Sequence, residues 1–550
     1  MVLADIPNVL GQPFEFENKD LLSFVFDEPP VEMDFVQYID ADNEDNKLTY
    51  GGVLSLVKKI GYGLREIGLK EGDVVLGFSP NSILYPCAIY GTICAGGIFT
   101  GANPAYTITE FTHQLTHSGA KFVLADTALY PLVAEAAKKI GFSPDNIITF
   151  TPTKGARALS SLTLSGKELE WQRITDPAIL KERTCIILYS SGTTGLPKGV
   201  ELTHANIVAN TSQSQWVRDR GNEALVREGL PEIEGQAIGH LPMYHAYGLM
   251  QSCNAALRIG TCFIVTRKFD LVQMLTIIQK YRIQFLATVP PVITLLAKHP
   301  IVEKYDLSSL RTIGSGAAPL GQEVQQALRL RTGKQCRFQQ GWGMSETTCT
   351  GTSFSHADDD TEGSIGRLVP GTMAKLVDEE GRTVTGAGER GELCVQGPQV
   401  MKGYLNNPKA TAETIIDGWL HTGDVAVRSK DGRRFWIVDR KKELIKSKGL
   451  QVAPAELEAL LLSHEGVADA CVVGVPFEGD EAPRAYLVRS EMGNALTEQE
   501  LWRWMETRVA RYKLLRGGVV FVPAIPKSPS GKLLRRELRD QAKKEMASKL

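Results

Sequence analysis

Over the first 440 or so residues, short β-branched apolar runs alternate with stretches of helical periodicity. Phe122-Val123-Leu124-Ala125 precedes a helical pattern over residues 129–140. In residues 54–67, Val57, Ile60, Gly61 and Leu64 recur at helical spacing while Lys58, Lys59 and Arg65 fall elsewhere. Such alternation predicts parallel strands with helices packed on them, a doubly wound α/β arrangement. Residues 74–109 carry no charged side chain, but Pro80, Pro86, Pro104 and several glycines divide them. They are expected to form a buried helix with flanking loops, not a membrane span. Over residues 381–437 the texture changes to short strands punctuated by glycine, as in Gly386-Ala387-Gly388 and Asp431-Gly432, which predicts a β-rich subdomain. A lysine-dense run over residues 439–448 follows. Pro454 then opens a helix with Leu457, Leu460 and Leu461 on one face, and Cys471-Val472-Val473-Gly474-Val475 reads as a strand behind it. The expected organisation is a large unit over residues 1–440 and a small α/β unit over residues 441–550.

A chain of 550 residues is too long for one core, in keeping with that division. Its 61 basic and 63 acidic side chains nearly cancel, so no global field recruits nucleic acid or an anionic membrane. Any anionic ligand must be held locally. The nine cysteines form no C-x-x-C pair and no histidines cluster at metal-ligand spacing, which points to free thiols in a reducing compartment. Cys253 and Cys262 stand in apolar runs, where buried structural thiols are expected. The acidic Asp5, Glu15 and Glu17, with no apolar segment between basic flanks, argue against a secretory signal. Ser548-Lys549-Leu550 follows a polar stretch and matches the tripeptide read by peroxisomal import receptors. A peroxisomal location is expected, or a cytosolic one if that signal is inactive.

The segment richest in chemistry is Tyr189-Ser190-Ser191-Gly192-Thr193-Thr194-Gly195-Leu196-Pro197-Lys198-Gly199, placed between the apolar run at 185–188 and helix-like residues from Ala205. Small residues let backbone N–H groups approach a phosphate, and the hydroxyls and the lysine add donors. It is not the NTPase P-loop, which needs Gly before the lysine and Ser or Thr after it, where this chain has Pro197 and Gly199.

Further motifs stand in order downstream: Leu241-Pro242-Met243-Tyr244-His245, Gly341-Trp342-Gly343-Met344-Ser345-Glu346, Gly418-Trp419-Leu420-His421-Thr422-Gly423-Asp424 and Pro529-Ser530-Gly531-Lys532. With them the chain resembles the adenylate-forming superfamily of acyl- and aryl-CoA synthetases, luciferases and peptide-synthetase adenylation domains. Coumarate:CoA-ligase-like enzymes are the most similar group.

The resemblance implies an ATP-dependent carboxylic acid:CoA ligase that uses ATP, magnesium (Mg2+) and coenzyme A as co-substrate. Ser190, Ser191, Gly192, Thr193, Thr194 and Lys198 would hold the phosphates. Gly316, Ala317 and Ala318 with Gln340, Gly341 and Trp342 would bracket the adenine, Trp342 replacing the usual Tyr. Ser345 would contact phosphate and Glu346 the metal; Asp424 and Arg440 would hold the ribose. Arg440, Lys442 and Gly449 match the family's hinge pattern, with the pivot near Lys442, so the small domain is expected to be mobile. Gln451 would touch the adenylate; Lys268, Lys448 and Gly449 would serve coenzyme A. His245, Tyr247, Gly314 and Gly341 would line the acid's pocket. The resemblance assigns catalysis to Lys532, Lys446, His245, Thr194 and Glu346.

The nucleophiles belong to the substrates, a carboxylate and then a thiolate, so no Ser/His/Asp constellation is required. Gly314 stands where coumarate ligases usually carry Lys, and Ala246 and Gly248 where many relatives have bulkier residues. A roomy, apolar pocket for aryl, aryl-alkanoic or medium-chain fatty acids is the expectation. The alternative keeps the adenylate but changes the acceptor, as in luciferase-like oxidation or carrier-protein loading.

Overall fold

The computed structural model describes residues 14–190, 197–316, 322–333, 335–447, 450–477, 480–490, 493, 495–528 and 531–547. Its largest sheet runs in the order Gly403–Tyr404, Lys198–Thr203, Thr184–Ser190, Ile98–Ala102, Val74–Phe78, Ala120–Ala125, Ile147–Thr149, Arg157–Ala158. The strands from Thr184–Ser190 to Arg157–Ala158 are parallel, and the two at the other edge are antiparallel. Val74–Phe78 is buried at every position, as an unbroken apolar run requires when both faces of a strand are covered. The helix Tyr50–Glu66 buries Val57, Ile60, Gly61 and Leu64, the face its periodicity predicts.

Two expectations change here. Residues 74–109 do contain a buried helix, Tyr85–Cys94, but it is flanked by the strands Val74–Phe78 and Ile98–Ala102 rather than by loops. The Ser/Thr/Gly segment after Ser190 does not lead directly into a helix. It joins two antiparallel strands, and the helix His204–Arg227 starts only after the second, with Thr203 as its cap. No helix among the described residues is long and apolar enough to cross a membrane.

A second sheet runs Ala237–Gly239, Phe263–Val265, Val36–Asp40, Asn43–Thr49, and a third, all parallel, runs Phe285–Thr288, Thr312–Ser315, Arg337–Gln340. The carboxyl ends of parallel strands are where open α/β sheets bind ligands. Ser190, Ser315 and Gln340 are such ends. Residues 373–440 form an antiparallel sheet, which begins earlier than the glycine-rich texture suggests, at Met373–Val377.

Beyond Ile445 the chain builds its own cores. Val467–Phe477 pairs with Asp480–Arg489, which pairs in parallel with Val519–Phe521. Alternate residues along a strand point to opposite faces. Val472 packs with Leu457, Leu461 and Leu501 on one face, while Cys471 and Val473 pack with Leu538 and Ala542 on the other. Polar contacts tie this unit to the rest: Lys298 Nζ donates to the carbonyls of Leu462 and Val467 at 3.0 and 3.3 Å, and Gln451 Nε2 donates to Glu379 Oε1 at 2.8 Å.

Candidate active site

Ser190 and Tyr404 converge on one carboxylate. Ser190 Oγ and the Tyr404 hydroxyl donate to Glu346 Oε1 at 3.2 and 2.9 Å, and Glu346 is buried on the short turn Ser345–Thr347. Lys198 Nζ lies 4.5 Å from the Tyr404 ring centroid. The loop behind Glu346 is tightly folded. Thr348 has φ 63° and ψ −52°, with the Cys349 N–H on the Thr347 carbonyl at 2.6 Å, a γ-turn of the strained hand. Gly343 is obligatory beside it, because a Cβ there would sit 1.5 Å from the Cys349 carbonyl oxygen. Oε2 of Glu346 accepts no hydrogen bond among the described residues, and no cluster of three or more potential ligands exists among them. A single buried carboxylate oxygen of this kind fits a hard cation whose other ligands are phosphate and water.

The residues expected to hold the nucleoside sit on neighbouring strands. Asp424 and Arg440 pair across the antiparallel ladder, and Arg440 Nε approaches Asp424 Oδ1 at 3.4 Å. The Trp342 indole N–H donates to Asp424 Oδ2 at 2.8 Å. Trp342 is therefore both a core residue, packed over Gly351, and a partner of the ribose candidate. Burial raises the Asp424 carboxyl above its ordinary value, opposed by Arg440, Trp342 and Lys532. Gln340 is buried, and a Cβ on Gly316 would come within 3.1 Å of the Tyr247 ring, so backbone and aromatic face lie close together there.

Lys532 reaches this cleft from the far end of the chain. Its turn is closed by the Ser528 N–H on the Lys532 carbonyl at 2.8 Å and by the Lys532 N–H on Ser528 Oγ at 3.1 Å. Gly531 supplies the positive φ of 80° that the turn needs. Burial lowers the Lys532 ammonium pKa, Arg440 lowers it further, and Glu346 and Asp424 oppose both. His245 is held down to about 3 by burial and then by the charge of Lys532. Its Nδ1 accepts from the Tyr247 N–H at 3.4 Å, which leaves the proton of the neutral ring on Nε2.

Lys532, Glu346, Asp424, Arg440 and His245 are thus brought together. Others are not. Lys446 is exposed, with its backbone N–H on Glu481; Gln451 is engaged with Glu379; Lys442 and Lys268 are exposed. Ser191, Gly192, Thr193, Thr194, Ala317, Ala318, Lys448 and Gly449 lie outside the described residues.

A cavity of about 220 Å³ opens beside Lys532 and His245. Ala246, Tyr247, Gly314 and Gly341 line it as expected, but Gly248 does not. A Cβ on Gly248 would lie 2.1 Å from the Pro242 carbonyl oxygen, so a backbone contact requires this glycine and it makes no room for substrate. Over Leu249–Ala255 the helix widens to a π-helical turn that places Gln251 and Ala255 on the wall. The lining is mixed, not uniformly apolar. The helix His204–Arg227 contributes the polar Thr211, Ser214, Gln215 and Arg218 together with Val217, and Phe285 and Phe354 line it as well. This stripe, like Tyr404, is absent from the residues the motifs single out. Its only sequence signal is polar side chains three, four and seven residues apart on a helix.

The chain matches the model of the AMP-binding enzyme over residues 27–405 and that of the AMP-binding enzyme C-terminal domain over residues 456–532. It is 41% identical over 507 residues to a probable 4-coumarate–CoA ligase 2 of Dictyostelium discoideum, covering 89% of each chain. It is 37% identical over 537 residues to the phenylacetyl-CoA ligase epaB of Aspergillus niger, covering 95% of this chain and 97% of the other. Among solved structures, ATP-bound MatB from Rhodopseudomonas palustris superposes with a TM-score of 0.83 at 27% identity, covering 95% of this chain and 98% of that one.

Proposed function

Because this chain belongs to the AMP-binding enzyme family, we propose that the cleft around Lys532 joins a carboxylic acid to coenzyme A in two ATP-dependent steps. The observation that carries the reading is half-buried Lys532, which lines the cavity together with His245 and feels the charges of Glu346, Asp424 and Arg440. The relatives named as coumarate, phenylacetyl and acyl-CoA ligases support an aryl or alkanoic acid.

In the first step a carboxylate oxygen attacks the α-phosphorus of ATP, the bond to pyrophosphate breaks, and an acyl adenylate forms. Lys532, between the acid cavity and the nucleoside side, is suited to bridge the carboxylate and the α-phosphate as charge accumulates. Asp424 accepts hydrogen bonds from the ribose hydroxyls and Arg440 fixes that carboxylate. Glu346 would hold Mg2+, which neutralises charge on the phosphates and on departing pyrophosphate. His245, neutral and carrying its proton on Nε2, can donate a hydrogen bond without competing with Lys532 for the carboxylate's charge.

In the second step the coenzyme A sulfur attacks the acyl carbon and AMP leaves with the electron pair. Residues 441–550 are read as a domain that turns near Lys442 between the steps, bringing Lys446, Lys448, Gly449 and Gln451 to the site and taking Lys532 away. Lys268 is a candidate coenzyme A contact on the large unit.

A panel of aryl, aryl-alkanoic and medium-chain acids with ATP, Mg2+ and saturating coenzyme A tests the reading. Pyrophosphate, AMP and acyl thioester are expected, and ADP with phosphate would refute it. The Ser548-Lys549-Leu550 end, outside the described residues, supports a peroxisomal location through the import receptor. Removing those three residues should leave the ligase in the cytosol, and continued import would refute the assignment.

A further inference from the structure

The acid cavity has a cation at each end. Along the helix His204–Arg227, Thr211, Ser214, Gln215 and Arg218 fall on one face and line the cavity. The start of this stripe is tied to the Lys532 side: Asn210 Nδ2 donates to the Thr350 carbonyl at 2.8 Å and the Thr350 N–H to Asn210 Oδ1 at 3.0 Å, and Cys349, its neighbour, feels the charge of Lys532. Arg218 is two turns further on, about 10 Å along the helix axis. There it faces the His356 end, where His356 Nδ1 lies 3.3 Å from Asn222 Oδ1 and the Phe285 and His356 ring centroids are 5.0 Å apart, tilted by 38°.

Arg218 is the informative group because it is under-used. A guanidinium carries five N–H donors. Among the described residues Arg218 makes no hydrogen bond; its one ion contact is Asp219 Oδ1 at 3.9 Å, and 28% of its side-chain surface stays accessible. Asp219 does not line the cavity, and Glu234, the acidic side chain that does, is exposed. Donors left open toward a cavity lower the energy of a complementary acceptor and penalise a bare methyl group.

We infer that the cavity selects acids carrying a second oxygen acceptor, a carboxylate or carbonyl, about 10 Å from the reacting carboxylate, and that Arg218 receives it. An aliphatic or aryl spacer would lie against Phe285 and Phe354. This inference rests on the ligase reading and names the substrate class for it.

The test compares kcat/KM for thioester formation with octanoic acid, octanedioic acid and 8-oxononanoic acid, in the wild type and in Arg218→Met, Arg218→Gln and Arg218→Lys. The wild type should favour the two acceptor-bearing acids over octanoic acid, the dianion most. The acceptor-to-octanoate ratio should fall roughly ten- to a hundredfold in Arg218→Met and Arg218→Gln, the loss expected for a hydrogen bond to a charged group. Arg218→Lys should restore part of it. A wild-type preference for octanoic acid, or a ratio unchanged in the variants, would overturn the inference while leaving the ligase intact. Absence of thioester from every acid would instead overturn the ligase reading, and this inference with it.

Discussion

A half-buried ammonium in the field of two carboxylates and a guanidinium responds strongly to charge that develops beside it. Lys532 is such a group, and the first half-reaction is where charge develops. Lys532→Ala should slow pyrophosphate exchange by ~10²- to 10³-fold, the usual loss for one donor aimed at a transition state. Thioester formation from added acyl adenylate should stay near the wild-type rate, because that step is assigned to the turned domain. Equal loss in both assays, with the fold intact, would sink the two-orientation account. Most residues of the cleft were legible as motifs: Glu346, Asp424, Arg440 and Lys532 were singled out by the resemblance, and the fold brings their charges into one cleft. What could not be read were contacts between distant segments. Nothing in the spacing joins Tyr404 to Glu346 across 58 residues, or the Trp342 indole to Asp424 across 82, because each bond depends on strands meeting in three dimensions.

At the scale of elements, periodicity gave the helices and the buried strands but not their order around the site. The segment after Ser190 read as a strand-to-helix loop because Ala205 opens a helical pattern; the short strand Lys198–Thr203 is too brief to show alternation against that helix. The π-helical turn at Leu249–Ala255 was equally invisible, since its side chains suit an α-helix. The hinge can be argued further. Residues 440–443 form a turn with the Glu443 N–H on the Arg440 carbonyl at 2.8 Å. Proline at Lys442, the third position, would push Lys441 out of helical geometry and damage the present orientation as well, so it does not isolate the second step. The helix Pro290–Lys298 offers a cleaner lever. Lys298 donates to two carbonyls of the small unit, in an exposed setting worth about 1 kcal/mol. Lys298→Ala should therefore lower the ratio of adenylation to thioester formation by up to about fivefold. Parallel loss of both rates would show that the contact does not bias orientation.

The molecule as a whole carries a stability term set by buried histidines, one of which, His356, also lines the cavity. His204, His240 and His356 are buried in the large unit, and burial depresses all three: His240 to about 4, His356 to about 3 with Arg218 and Arg311 assisting, and His204 in the same direction against the pull of Asp20. A depressed histidine is neutral in the fold but takes a proton in the unfolded chain below its ordinary value near 6.5. The unfolded state then binds more protons, so stability is full above that value and is lost as pH falls toward the folded pKa. Between pH 7.5 and 5.5 each such histidine should cost about 1.4 kcal/mol of unfolding free energy. Asp219, Asp360, Asp424, Asp439 and Glu458 have carboxyls raised by burial and act with the opposite sign, taking protons in the fold as pH falls. The net slope of the wild type mixes the two sets, and single replacements separate them. Urea unfolding of His240→Asn and of His356→Asn, compared with wild type at both pH values, should show each variant losing about 1.4 kcal/mol less than wild type across the interval, whatever its absolute stability. Variants that track the wild type in parallel would mean that these histidines are already protonated in the folded chain, and that burial beside Phe285 and against the Thr288 hydroxyl does not exclude the charge.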